Sequence, residues 1–209
     1  MRKWLPALFI VASWAFSIAV FSRLPASVPV HWGVSGEPNR YGSRLEAAFL
    51  MTAIMLVLFG VLVWYPSRDP RAANIAKFRG AYDTVIAATL AFMAGVHVIA
   101  LGTSLGWQIP LNTVILAGVG VLFVLVGNLL PRARSNFIFG IRTPWTLSSD
   151  TVWTRSHRLG GYLMVGAGLL TIGAAFLAPP LNVLIAVVSL IAAGLIPVVY
   201  SYVLWSREH

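Results

Sequence analysis

The chain has 209 residues, of which 58% are hydrophobic and only 10% charged, a composition that excludes an ordinary soluble protein. Cysteine is absent, which excludes a disulfide framework, cysteine-based metal sites and thiol catalysis. The apolar residues are gathered into stretches long enough to cross about 30 Å of bilayer hydrocarbon, which takes about 20 residues of helix.

Six such stretches predict an all-α membrane protein with six transmembrane helices. Of the 15 basic and 6 acidic side chains, only Glu46 and Asp83 fall inside the stretches. Both lie in a first helical turn, where a carboxylate meets the positive end of the helix dipole. The predicted spans are Trp4 to Phe21, Glu46 to Tyr65, Tyr82 to Gly102, Leu111 to Leu130, Gly160 to Ala178 and Asn182 to Leu204.

The distribution of the basic residues predicts the orientation in the membrane. Arg2 and Lys3, the second and fourth loops and the C-terminus hold 12 of the 15, whereas the opposite side has only Arg23, Arg40 and Arg44. The positive-inside rule then places both termini in the cytoplasm and the first loop outside. The net charge of +9 is therefore a topology signal, and no direct binding of nucleic acid is expected.

The first span could also be interpreted as a signal peptide. Its apolar core of 18 residues is longer than the usual core of about 7–15, and no clear cleavage site follows it. These features favour a retained helix.

The first loop, Ser22 to Leu45, is predicted to form a small extended element or hairpin on the outer surface. Val28, Val30 and Trp32 alternate like one face of a strand, and Gly36 to Asn39 reads as a turn. His31 could sense pH or bind a metal, but Glu37 is the only nearby second ligand, which favours a hydrogen-bonded loop histidine. The second loop, Pro66 to Ala81, is interpreted as a basic connector.

The fourth loop, Pro131 to Leu159, is predicted to contain a short amphipathic helix along the cytoplasmic interface that leads into the fifth span. Ser148 or Ser149 would cap it and Asp150 would lie in its first turn. One face would carry Val152, Trp153, Ser156 and Leu159, with Arg155 and Arg158 elsewhere. A second apolar group is expected to re-enter or to pack under the bundle, with an interfacial anchor as the alternative: Phe137, Ile138, Phe139, Ile141 and Trp145.

Polar groups within the spans are the remaining candidates for function. His97 and Asn128 stand out, and a neutral His97 bonded to a neighbouring helix is favoured over a proton relay. No zinc, phosphate-loop, aspartyl-protease or rhomboid-like pattern occurs, so we expect neither an enzyme nor a cofactor nor a metal. Close helix approach and a kink at Pro197 are predicted from the glycines and proline of the last spans: Gly118, Gly120, Gly127, Gly166, Gly168, Gly173 and Pro197.

The two long loops together resemble a known family. The stretch from Leu24 to Arg44, with its His31-Trp32 pair, looks like the DUF1648 element, although Arg44 stands where a lysine is more usual. The stretch from Asn136 to Gly161 resembles the signature of the SdpI family of six-helix bacterial membrane proteins. The resemblance divides the chain into a DUF1648-like unit, residues 1–65, and an SdpI-like four-helix unit, residues 66–209. The two units are expected to pack as one structural bundle.

The resemblance implies a bacterial plasma-membrane protein that protects against, or senses, a membrane-active peptide toxin and in some members reports to a cytoplasmic repressor. The expected partners are therefore the lipid bilayer, a secreted hydrophobic peptide outside and a repressor inside. The residues that would bind the toxin or signal are His31, Trp32, Gly36, Pro38, Arg44, Asn136, Phe139, Gly140, Arg142, Thr143, Pro144, Trp145, Thr146, His157 and Arg158.

Two other classes of function remain open on the sequence. The first is a small transporter or lipid-associated protein, in which the outer loop would be a lid and His97 a proton or ligand group. The second is a structural partner of another membrane protein.

Overall fold

A computed structural model describes residues 4–208, so Arg2 and Lys3 of the topology argument lie outside the described residues. The described chain is mostly helical and contains one two-stranded antiparallel sheet. Its elements are α1 (Leu5–Val20), β1 (Ser27–Trp32), β2 (Pro38–Ser43), α2 (Arg44–Trp64), α3 (Ala72–Lys77), α4 (Arg79–Ser104), α5 (Leu111–Leu129), α6 (Pro144–Ser148), α7 (Asp150–Ala174) and α8 (Leu181–Glu208).

Five of the described helices, α1, α2, α4, α5 and α8, are long and apolar enough to cross a membrane, which confirms an all-α membrane protein. The predicted fifth span, Gly160 to Ala178, is not among them. Only residues 160–174 of this span lie in α7, which ends at Ala174 and whose first half carries Arg155 and Arg158. The apolar part of α7 is therefore shorter than the sequence suggested.

Helices α1, α2 and α4 pack around one apolar cluster that includes Met55, Tyr82 and Leu90. The Tyr82 hydroxyl donates to the carbonyl of Leu62 at 2.8 Å, so the buried phenol has a partner on α2. These three helices and the strands form one side of the molecule, and α4 connects it to α5.

Helices α5, α7 and α8 form the other side, and glycines bring α5 and α7 close together. A Cβ added at Gly120 would lie 2.6 Å from the carbonyl oxygen of Gly168, and one added at Gly161 would lie 2.7 Å from that of Gly127. The predicted close approach is thus confirmed for Gly120, Gly127 and Gly168, and Gly161 adds a contact that was not predicted. It is wrong for two others, since an added Cβ would meet nothing within 4 Å at Gly166 or Gly173.

The predicted outer hairpin is present as β1 and β2. Val28 is fully buried, whereas His31 on the other face is exposed. The turn lies earlier than predicted, because Pro38 already pairs with Trp32 at the start of β2. Gly36 occupies this turn with φ +84°, a backbone conformation that residues other than glycine rarely adopt.

A helix is present where the sequence predicts one, but it continues without a break from residue 150 to residue 174 instead of forming a short element before the fifth span. Ser149 is its N-cap and accepts from the N–H of Val152 at 3.2 Å. A short helix does occur earlier in the same loop, as α6. The predicted buried face is confirmed for Val152, Trp153 and Ser156, and Leu159 is half-buried.

Candidate functional site

The signature loop, defined here as residues 131–149, is organised around the side chain of Asn136. Asn136 is fully buried and makes four hydrogen bonds to the backbone. Its amide nitrogen donates to the carbonyls of Arg134 (2.7 Å) and Phe139 (3.0 Å). Its oxygen accepts from the N–H groups of Ile138 (2.9 Å) and Phe139 (2.7 Å). One amide therefore uses its full bonding capacity to fold the irregular part of the loop that precedes α6.

His157 fixes the next part of the loop from helix α7. Its Nδ1 lies 2.7 Å from the Trp153 carbonyl, and its Nε2 lies 3.0 Å from the backbone nitrogen of Ile141. A carbonyl can only accept and an N–H can only donate, so this geometry requires the neutral ring with its proton on Nδ1. Burial lowers the pKa of His157 to about 4, and the bond to the Trp153 carbonyl opposes that effect.

Gly140 makes room for this histidine. A Cβ at Gly140 would clash with Nε2 of His157, and the residue has φ +110°. Both the space and the backbone conformation therefore require glycine. The ring of His157 also stacks on that of Trp153, with centroids 4.0 Å apart.

The end of the signature loop is attached to α8. Thr143 and Thr146 form a reciprocal capping box at the start of α6, with Pro144 in its first turn. The indole N–H of Trp145 donates to the Ser201 hydroxyl on α8, and the Trp145 ring contacts that of Tyr202. A change in the position of α8 would therefore act directly on α6.

The second loop holds the signature loop from the other side, a role that the sequence interpretation as a basic connector missed. The buried carboxylate of Asp69 accepts from the N–H of Phe137 at 2.8 Å and from that of Arg71 at 2.7 Å. Arg71 donates to the Ser135 hydroxyl and, at 2.8 Å, to the Leu147 carbonyl. We call these contacts of Asp69 and Arg71 with the signature loop the clamp. Its only signal in the sequence was an acidic residue in an otherwise basic loop.

Exposure separates the predicted residues of this site into two groups. Asn136, Thr146 and His157 are fully buried and hold the loop together. Arg142 and Arg158 are exposed, although Arg142 also donates to the Phe137 carbonyl at 2.7 Å. Phe139 packs inward against Phe78 and Tyr82, which confirms the prediction of apolar packing under the bundle for this residue.

At the other end of the molecule, three neighbouring cavities lie beside the hairpin, and Trp32 lines all of them. We call them together the hairpin groove. Their volumes are about 390, 230 and 340 Å³. Gly36 and Pro38 line the first of them, and His31 lines the third.

The smallest of the three cavities, about 230 Å³, reaches His97. His97 lies 2.7 Å through Nε2 from the Ser17 hydroxyl, which itself donates to the Ala48 carbonyl at 2.6 Å. The predicted bond from His97 to a neighbouring helix is thus present. Asn128 is different, because it is exposed on α5 and donates to the Val124 carbonyl of its own helix at 2.9 Å.

Polar contacts stabilise the hairpin. His31 is hydrogen-bonded through Nδ1 to Asn39 at 2.6 Å, and Arg40 pairs with Glu46 at 2.6 Å. Arg44 is exposed at the first position of α2. Within residues 4–208, no group of three or more His, Asp or Glu side chains is arranged to hold a metal ion.

The predicted residues thus fall into two clusters at the two ends of α4. Phe139 packs against Tyr82 near the start of this helix, whereas the hairpin groove is lined by Ala100 and Leu101 near its end. These positions are 19 residues apart at most, which corresponds to about 28 Å of helix. Direct contact between the two clusters is therefore excluded, and any communication must run through the helices.

Comparison with known proteins confirms the family resemblance. The SdpI/YfhL protein family matches residues 132–201, and the domain of unknown function DUF1648 matches residues 8–56. The immunity protein SdpI of Bacillus subtilis (strain 168) is 25% identical over 206 residues, which is 97% of this chain and 95% of the relative. An uncharacterized protein of Archaeoglobus fulgidus is 34% identical over 71 residues, 31% of this chain and 39% of that protein. No solved structure matches the chain.

Proposed function

We propose that this chain, which carries an SdpI/YfhL segment behind a DUF1648 segment, is an immunity or receptor protein that protects against, or senses, a membrane-active peptide toxin. The similarity to an immunity protein over almost the whole chain carries the proposal. The five apolar helices and this relative support a multi-pass bacterial membrane protein. SdpI/YfhL proteins are not an enzyme family, and we propose a role without catalysis.

For the topology we propose six spans and both termini in the cytoplasm. The fifth span begins at Gly160 within α7, as the sequence predicts, so that Arg155, His157 and Arg158 lie on the cytoplasmic side of it. The hairpin then faces outside and the signature loop faces the cytoplasm. The proposed division at residues 65 and 66 keeps the hairpin and its two flanking helices in one unit.

The hairpin groove is the proposed site for the peptide. It opens beside the hairpin, and the cavity that reaches His97 is lined mainly by apolar residues, including Trp32, Leu50 and Ile54. A hydrophobic side chain would bury apolar area there, and His97 would offer a polar contact at the inner end. The paired charges of Arg40 and Glu46 lie at the same cavity.

The exposed part of the signature loop is the proposed contact for a cytoplasmic repressor. Arg142 of the loop and Arg158 of the adjoining helix α7 present positive charge, whereas Asn136, Gly140, Thr143, Thr146 and His157 maintain the loop. The bond between Trp145 and Ser201 offers a route by which a shift of α8 would change this surface.

Survival of toxin-sensitive cells tests the immunity proposal. Cells that express the chain should survive a secreted sporulation-delay toxin better than cells with an empty vector. Trp32→Ala should reduce protection, because Trp32 lines all three cavities. Tyr41→Ala is the matched control, since Tyr41 is an exposed aromatic residue on the same hairpin and lines none of these cavities.

No gain in survival at wild-type expression levels would contradict the immunity role for that toxin. Equal protection by the Trp32 and Tyr41 variants would contradict the assignment of the groove. The inner surface is tested with a reporter gene under the control of the repressor. An Arg142→Ala variant whose response to toxin equals that of an Arg155→Ala control would contradict the proposed inner surface.

The second candidate function is a small transporter or lipid-associated protein with the hairpin as a lid. The observation that favours it is the buried His97 at the inner end of a cavity in the bundle. Flux of a substrate into vesicles that contain the purified protein, lost in His97→Ala, would support this function. Toxin binding without such flux would support the receptor.

A further inference from the structure

A basic pocket lies at the signature-loop end of the bundle, beside the residues that fold that loop. It has a volume of about 470 Å³ and opens between the start of α4 and the start of the signature loop. Three cationic side chains line it, Lys77, Arg132 and Arg134, together with Phe78, Gly80 and Ala81. No carboxylate is among these lining residues, so the positive charge of the pocket is not neutralised from within.

Hydrogen bonds fix the positions of the second loop and the signature loop, which supply the three cations. Asn74 donates to the Ser135 carbonyl at 2.9 Å and accepts from Lys77 at 3.2 Å. The indole of Trp153 donates to the Ala133 carbonyl at 2.9 Å, which fixes the backbone between Arg132 and Arg134. The backbone beneath the cations is therefore organised before any ligand arrives, which lowers the entropic cost of binding.

The first turn of α4 adds a second source of positive potential. Its opening N–H groups, those of Arg79 and Gly80, have no carbonyl one turn earlier in the helix, and the N-cap residue Phe78 provides no side-chain acceptor. A Cβ added at Gly80 would meet nothing within 4 Å, so a ligand can approach this backbone. Helix starts of this kind favour anions.

We propose that this pocket binds the phosphate group of an anionic phospholipid. Three cations and a free helix start suit a phosphate, which carries negative charge and several acceptor oxygens. Phe78 and Ala81 form an apolar surface next to the charges, which suits a ligand that joins a phosphate to acyl chains. The pocket lies at the end of the membrane-spanning helix α4, where headgroups are found.

Lipid binding to the purified full-length protein in neutral detergent tests the proposal. Native mass spectrometry would compare phosphatidylglycerol with phosphatidylcholine. We expect the wild type to prefer phosphatidylglycerol, and the variant Lys77→Gln/Arg132→Gln/Arg134→Gln to lose about tenfold or more of that affinity. The matched control, Arg68→Gln/Arg155→Gln/Arg207→Gln, removes three exposed charges that do not line the pocket and should bind within about twofold of wild type.

Gly80→Asp is an independent variant. An acidic side chain fits the open space and suits the first turn of a helix, so the fold should be retained. Its carboxylate would nevertheless oppose a phosphate in the pocket. We expect an unchanged melting temperature and weaker binding of phosphatidylglycerol, whereas Gly80→Ala should bind like wild type.

Three outcomes would overturn the proposal. Equal loss of binding in the pocket variant and the control variant would indicate general surface attraction. Undiminished binding in Gly80→Asp and the pocket variant would remove the site. Displacement of phosphatidylglycerol by an equal concentration of free glycerol phosphate would assign the pocket to a soluble phosphate compound and not to a lipid, whereas retention of the lipid supports the proposal.

Discussion

The backbone N–H of Ile141 donates to Nε2 of His157 at 3.0 Å, so a side chain on α7 fixes a turn 16 residues earlier in the chain. The other ring nitrogen is already bound to the Trp153 carbonyl. A protonated ring would turn Nε2 into a donor that faces the donor of Ile141. The fold of the signature loop therefore depends on the protonation state of one histidine.

Acid should destabilise the protein through His157. Burial lowers the pKa of this group from 6.5 to about 4, so the folded state favours the neutral ring. The stabilisation from the neutral ring is fully present above about pH 6.5 and is lost as the pH falls towards 4. The total loss in the free energy of unfolding is about 3 kcal/mol. Melting temperatures in detergent between pH 7.5 and 4.5 measure this effect. In His157→Gln the decline should be shallower, and parallel curves for both proteins would contradict the assignment.

Gly140→Ala should destabilise the signature loop. The new Cβ would clash with Nε2 of His157 and would place alanine at φ +110°. We expect a loss of about 2 kcal/mol or more in the free energy of unfolding, measured by thermal or denaturant unfolding in detergent. Gly166→Ala is the control, because Gly166 lies in open space in α7, where alanine is the better helix former. Equal effects of both substitutions would contradict the proposed clash.

Asp69→Asn should loosen the contact between the second loop and the signature loop. Each carboxylate oxygen accepts one backbone N–H, from Arg71 and from Phe137, and an amide can replace only one of these acceptors. We expect a loss of about 1–3 kcal/mol and faster hydrogen exchange in residues 133–143. Asp150→Asn, at the exposed start of α7, should leave exchange in that segment unchanged. Unchanged exchange in both variants would count against the clamp.

Gly161→Ala should weaken the packing of α7 against α5. Its Cβ would lie 2.7 Å from the Gly127 carbonyl oxygen and 2.8 Å from Pro131, so the helices would have to separate. We expect a loss of about 1–3 kcal/mol, measured as a lower melting temperature. Gly173→Ala on the same helix meets nothing and should leave the melting temperature unchanged or raise it.

The helices and the hairpin were predictable because they follow local signals. The absence of charge marks each span within a few residues, and alternating apolar residues mark β1. The exception is α7, whose Gly160-Gly161 pair resembles a boundary between two segments. In the structure the pair lies inside one continuous helix, where Gly161 provides space for Gly127 and Pro131.

The candidate site was predictable in composition but not in arrangement. The motif identified Asn136, Gly140 and His157, but it gave no indication that Asn136 and His157 bond to the backbone of the loop or that Gly140 leaves space for His157. Asp69 and Arg71 were missed because their partners lie more than 60 residues away in sequence. No periodic pattern records such a pairing, since it arises only when two loops meet at one end of the bundle.

The link between Ser17, Ala48 and His97 has a consequence for biogenesis. Ser17 on α1 and His97 on α4 are 80 residues apart, and Ala48 on α2 lies between them in the sequence. Because α4 follows α1 and α2 in the chain, the imidazole that completes this contact emerges from the ribosome after the other two groups. The hairpin is thus displayed before the inner end of its groove exists, and the groove becomes complete only after α4 has been inserted.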